Sequence, residues 1–310
     1  MIIIRNTNHK DLVLGYNYVS QTINIIAVRI RADKGPASYR MRDLLRKSIL
    51  ISAVAALFAF STFGQNGASP DTKSVPFAYG ETLTYEGKIS RIIKGIAVAD
   101  MTFTITQPRS GEDYVVKGQA RSKGTLLKLF RYSFLYDSES TIGDREFRVK
   151  KTVKRDVQKE RIRDSEAVFD YRNDRVTFIE SNPKEPMRPP RKIASVIGSE
   201  THDLVSGIYK MRLLPLAVGK SFEISISDSG LVYKIPVKVL ARERQKSVLG
   251  DVWCFRIEPD VFGLGRLIEK EGSMIIWITD DARRIPVRSQ VNSQIGRVEI
   301  KLKTVKNLKS

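Results

Sequence analysis

From residue 80 onward the apolar positions recur with a period of two, the pattern of strands with one buried face. Leu83, Tyr85 and, after Gly87, Ile89 alternate with Thr82, Thr84 and Glu86. Ala97, Ala99, Met101, Phe103 and Ile105 form one face of a second strand, against Asp100, Thr102 and Thr104. Residues 114–120 and the pair Phe134 and Tyr136 predict two more. In a long fifth strand Phe147, Val149, Val153 and Val157 alternate with Arg148, Lys150, Thr152 and Lys154. Arg172-Asn173-Asp174, between two short apolar runs, predicts a hairpin turn. So does Ser227-Asp228-Ser229-Gly230, where glycine supplies a positive φ. The return strand, residues 232–239, contains Pro236. Proline cannot donate to a ladder, so this strand is expected at a sheet edge. Residues 252–257, 274–278 and 287–291, and a last run through Val298, Ile300 and Leu302, complete the set.

Two segments carry a helical period. Residues 125–130 are short. Over residues 203–214, Leu204, Val205, Ile208, Met211 and Leu214 recur at helical spacing, with Thr201 or Asp203 placed to cap and Pro215 to stop. The four prolines between 182 and 190 demand a loop. About twelve hairpin-linked strands and one main helix predict a mainly β fold, all-β or α+β. Its long antiparallel strands would form a curved sheet or half-barrel spanning residues 77–304, with residues 305–310 as a tail.

The first quarter of the chain reads differently. Arg42, Arg46 and Lys47 precede a 13-residue, mainly apolar run from Ser48 to Phe60, and small residues at Thr62 and Gly64 suit a signal-peptidase site. That is secretory signal-peptide grammar over residues 41–64, too short for a permanent span of about 20 residues. Met41 is expected to be the true start, with residues 1–40 as upstream sequence, and residues 65–76 as a flexible lead-in. The exported product would sit in a bacterial periplasm or at the outer-membrane periphery.

Composition then narrows the function. The 310 residues include 53 Lys/Arg and 34 Asp/Glu, a formal net charge of +19. Without the 9 basic and 3 acidic residues of 1–64, the remainder carries 44 and 31, a net of +13. Export disfavours nucleic acid as the partner despite that charge. One cysteine excludes an intrachain disulfide and a thiolate zinc cluster, and two histidines argue against a His-rich metal site. No nucleophile elbow, zincin, phosphate-loop or dinucleotide motif occurs. His202 beside Asp203 reads as a cap or surface residue, Cys254 as a packed thiol, and Asp280-Asp281 as a turn. No cofactor is expected.

Charge concentrates in residues 148–163, where eight basic side chains face two acidic ones. By parity Arg148, Lys150 and Lys154 share one strand face, opposite Phe147, Val149 and Val153. Arg161 and Arg163 extend the cluster, and Lys184, Arg188, Arg191 and Lys192 follow in and after the proline-rich loop. One reading is a solvated face whose lysines discourage edge pairing; the other is attraction to an anionic envelope component such as a lipid headgroup.

Scattered motifs add a family. Gly80-Glu81-x-Leu83-x-Tyr85 opens the strand region and Gly95-x-Ala97 starts the second strand. His202-Asp203-Leu204 precedes Tyr209-x-x-Arg212 and Leu214-Pro215-Leu216, with Gly219 behind. Residues 276–281 (IWITDD) lead to Arg284-Ile285-Pro286-Val287, and Gly296 precedes the last strand. In order and spacing these resemble the bacterial family known as domain of unknown function 3108, over roughly residues 77–304. That resemblance implies an exported protein and assigns no activity. The Trp277-x-x-Asp280-Asp281 strand end through Pro286 also looks like one in periplasmic lipoprotein carriers, whose bent sheet wraps a helix and holds acyl chains. Three readings follow: a non-catalytic module binding a lipid or other anionic envelope ligand, an assembly partner of envelope proteins, and a hydrolase with an unrecognised carboxylate site.

Overall fold

A computed structural model describes residues 75–90, 95–106, 113–130, 133–143, 147–159, 161–294 and 296–309. The expected leader and the expected start at Met41 lie outside these residues. The described chain is one 15-stranded sheet. Its strands are β1 (Thr82–Ser90), β2 (Ile96–Thr106), β3 (Asp113–Ser122), β4 (Phe134–Gly143), β5 (Val149–Gln158), β6 (Arg161–Asp170), β7 (Arg175–Ser181), β8 (Arg191–Val196), β9 (Thr201–His202), β10 (Ser221–Asp228), β11 (Leu231–Ser247), β12 (Gly250–Pro259), β13 (Gly272–Thr279), β14 (Pro286–Ser293) and β15 (Gly296–Lys306). Two helices interrupt them: α1 (Gly124–Phe130) and α2 (Leu204–Arg212).

The strand order is β8 down to β1, then β15 down to β9. Almost every strand therefore pairs with its sequence neighbour. The exception is β1 with β15, which joins the start of the strand region to its end in a register from Thr82–Lys306 to Ser90–Arg297. β15 thus runs two residues past the expected domain boundary at 304. All pairings are antiparallel except the two-residue bridge between β9 and β10. The sheet curves without closing, and its edges are β8 and β9.

One face is apolar and wraps α2. Asp203 caps that helix by accepting from the Ser206 backbone N–H at 2.6 Å, while Ser206 Oγ accepts from the Asp203 N–H at 3.1 Å, a complete capping box. Leu204, Val205, Ile208, Tyr209 and Met211 are buried and join one core with the inward residues of β1–β3 and β10–β15. Each such aliphatic side chain contributes up to about 1.5–3 kcal/mol on burial. Gly118 on β3 permits the close approach: a Cβ there would lie 3.1 Å from Val205. The concavity expected from the strand pattern is thus filled by the chain's own helix.

A second, smaller apolar cluster lies at the β8 end: Val149, Ala167, Phe169, Val176, Phe178 and Ile197. The β10–β11 hairpin tip covers part of it. Ser229 and Gly230 both take positive φ (51° and 82°) in a two-residue turn closed by Asp228 and Leu231. Ser195 Oγ on β8 donates to the Gly230 carbonyl at 2.6 Å.

The outer face of β1, β14 and β15 is ionic. Around Arg288, Glu299, Lys301, Lys303, Glu86 and Lys88 runs a set of ion pairs, with Arg288 Nε–Glu299 at 2.9 Å and Lys303–Glu86 at 3.7 Å. Among the described residues no helix is long and apolar enough to cross a membrane.

The expectation for Pro236 is overturned. β11 lies inside the sheet, between β10 and β12. The ladder with β12 stops at the Val237–Pro259 pair, so Pro236 sits just past it and owes no N–H to that neighbour. Its carbonyl still accepts from Asp260 N–H at 2.9 Å.

Candidate functional site

The basic cluster of residues 148–163 is rearranged by one extra residue. Ile142 on β4 pairs with Val149, but the preceding Thr141 pairs with Lys151, so Lys150 is a β-bulge. An inserted residue exchanges the two faces for everything beyond it. Val149 therefore points inward as expected, but Thr152, Lys154, Asp156 and Gln158 follow it there. Val153, expected in the core, is 46% exposed. The single outer face of Arg148, Lys150 and Lys154 does not exist.

Three of the five expected residues come together on the inner face. Lys154 Nζ meets Asp228 of the β10 end at 2.9 Å, both mostly buried. Burial alone would lower the Lys154 pKa; the Asp228 carboxylate outweighs it and holds the ammonium above its ordinary range. Arg161 Nη2 donates to Asp156 at 2.7 Å, and Gln158 Nε2 donates to the same carboxylate at 3.0 Å. Burial nevertheless raises the Asp156 pKa against those partners. Arg163 and Arg191 approach Glu180 at 3.7 and 4.0 Å. The lining of β5–β8 and the β10 end thus carries four cations against three carboxylates. Of the other two expected residues, Arg148 lies 5.2 Å from the Tyr171 ring centroid, and Lys150 is exposed at the bulge. Asp156, Glu180 and Asp228 had no sequence signal as site residues, because the partners are brought together by registers that the local pattern does not contain.

An open depression of about 450 Å³ lies on the outer face of β2–β5, lined by Thr102, Thr104, Gln119, Asp137, Glu139 and Arg155 among others. Its polar groups bond one another, with Gln119 Nε2 donating to Asp137 at 2.8 Å and Lys117 paired to Glu139 at 3.2 Å.

The residues weighed for catalysis are committed elsewhere. His202 is 1% exposed, not a surface residue, and Asp203 is the cap. Neither His202 ring nitrogen has a hydrogen-bond partner, and burial, aided by the Lys210 charge, pushes its pKa down to about 3. The Asp203 carboxylate next to it accepts instead from the Ser140 and Thr152 hydroxyls and from the helix N–H. No acid–base relay is assembled. Burial pushes the Cys254 thiol up to about 12, so it stays protonated. Asp281 bonds Thr279, Arg283 and the Arg284 N–H, and Asp280 pairs with Arg242 and Arg284. They build the expected turn. Among the described residues no group of three or more His, Cys, Asp or Glu is placed to hold a metal ion.

The scattered sequence motifs converge on one buried knot. Arg212, the last residue of α2, donates both terminal nitrogens to the Glu81 carboxylate, the second at 2.9 Å. It also donates to the carbonyls of Pro76 and Arg283 at 3.0 and 2.9 Å. Both side chains are fully buried. Phe77 and Tyr209 flank the guanidinium at 5.2 and 5.3 Å, and Tyr85 Oη donates to the Pro286 carbonyl at 2.9 Å.

A family model described as "Protein of unknown function (DUF3108)" matches residues 82–303. No curated protein matches the sequence significantly. Among solved structures, a β-barrel-like protein of domain of unknown function DUF1849 from Brucella abortus is similar at 10% identity, covering 75% of this chain and 99% of its own, with a TM-score of 0.50. A Bacteroides fragilis protein of YmcC-like fold, described as exported, covers 74% and 97% at 9% identity, with a TM-score of 0.29. At these identities the likeness to the Brucella structure concerns the fold alone.

Proposed function

The chain belongs to the family of unknown function DUF3108, and from that premise we propose that it is an exported, non-catalytic envelope protein whose β5–β8 quarter binds an anionic ligand such as a lipid headgroup. The observation that carries the reading is the convergence of Lys154, Arg161, Arg163 and Arg191 on one inner face. Cations in a partly desolvated concave wall act on an anion more strongly than cations in open water. Export rests on the signal-peptide grammar of residues 41–64. The filled concavity favours a headgroup or other anion at the wall over an acyl chain in the core.

Vesicle flotation tests this with protein purified from its own envelope. Phosphatidylglycerol vesicles are expected to carry the protein at low salt and release it at high salt, and Arg163→Gln is expected to weaken the association. Lys151→Gln, on the opposite face where its ammonium pairs with Glu166 at 2.7 Å, is the control and should leave the association unchanged. Equal flotation on phosphatidylcholine, or none on either lipid, would reject the reading.

A further inference from the structure

The sheet has one long-sided opening, the edge strand β8. Ile197, the residue after it, donates its N–H to the Asp174 carbonyl beside β7 at 3.0 Å. Backbone groups alternate sides along a strand. Arg191, Ile193 and Ser195 therefore face β7 in the ladder, while Lys192, Ala194 and Val196 present their N–H and C=O groups to the open side. Among the described residues β7 is the one strand paired with β8, so no ladder partner reaches those three. The β10–β11 tip does not cover this edge, since it rests on the inner face against Phe178 and Ile193.

The outer surface beside this edge is unusually apolar. Val153, Val168, Ile179 and Val196 are 46, 43, 38 and 78% exposed, four of the ten large apolar side chains exposed among the described residues. Val153, Val168 and Ile179 lie within two residues of one another across β5, β6 and β7, while Val196 stands at the edge four residues along β8 from Lys192, the partner of Ile179. Natural edges are blunted by bulges, prolines or inward charges. β8 has no register shift, its prolines precede the strand, and its two charges, Arg191 and Lys192, occupy its first two positions, leaving Ile193–Val196 uncharged.

We propose that β8 pairs antiparallel with β8 of a second copy of this chain, extending the sheet across a two-fold axis. The outward residues fix the register. Centred on Ala194, the pairing sets Ala194 opposite Ala194 of the second copy and Lys192 opposite its Val196. All three facing pairs are of the type that exchanges two backbone hydrogen bonds, about six in total. No like charges face each other, and the aliphatic stem of Lys192 covers the second copy's Val196, which is 78% exposed in the single chain. The self-complementary register favours a second copy over an unrelated strand.

Sedimentation velocity on the purified chain at micromolar concentration tests this. A dimer is expected. Val196→Lys sets an ammonium opposite Lys192 of the second copy, and Ala194→Pro removes an outward N–H without touching the β7 ladder. Both should yield monomer with unchanged circular dichroism. Adding Lys192→Glu to Val196→Lys should restore the dimer by setting opposite charges across the axis. A wild-type chain that stays monomeric, including one that captures a different protein at β8, overturns the proposal. So does a dimer that survives both single substitutions.

Discussion

At the scale of single residues, the buried polar groups show how environment decides chemistry. His202 has a native pKa of about 3 against about 6.5 in an unfolded chain. Between those values the unfolded state binds more protons. The contribution of this site to stability is therefore complete above pH 6.5 and lost as pH falls through 6.5 toward 3. From pH 7 to pH 5 that amounts to about 2 kcal/mol. Chemical denaturation at both values should show the loss, and His202→Phe, which also removes two orphaned nitrogens, should flatten the slope. An unchanged slope would mean that other groups dominate the acid response. The sequence placed His202 beside a helix start but could not show its burial, which comes from the packing around it, including the Phe147 ring 6.4 Å away.

At the scale of elements, alternation and turn chemistry were legible where the chain is regular. The helix at 203–214 forms as 204–212, and both hairpin turns form where Asn-Asp and Ser-Gly stand. Gly230 is demanded twice, by φ of 82° and because a Cβ would lie 2.7 Å from Phe178 and 2.8 Å from Ile193. Gly230→Ala should cost about 1–3 kcal/mol, read as a lower denaturation midpoint; a neutral substitution would show that the tip is not packed as described. The second half of β11, Ala241–Ser247, was missed because charged residues occupy it. The face of β5 was misassigned because a bulge is a property of two strands. Nothing in 147–158 alone reveals that Thr141 and Ile142 span Val149 and Lys151.

For the whole molecule, the Glu81–Arg212 pair ties together the lead-in, the central helix and the turn before β14. Removing one member of a buried pair strands the other charge. Arg212→Leu should therefore cost about 3–5 kcal/mol in a denaturant titration and lower the stability of the entire sheet. A loss confined to local hydrogen exchange near α2 would argue against that coupling. Glu81, Tyr85, Tyr209, Arg212 and Pro286 stand far apart in the chain and meet in this one buried knot.

The mainly β class, the position of the main helix, most turns and the family were legible in the chain, because each is written in local periodicity, local turn chemistry or motif order. So was the concentration of charge in residues 148–163. Tertiary structure alone decided where that charge points, that α2 fills the concavity, that β11 is interior and that β8 is left as an edge. Those outcomes depend on pairings between residues tens to hundreds of positions apart, and with a side-chain period of two, a single inserted residue reverses a face.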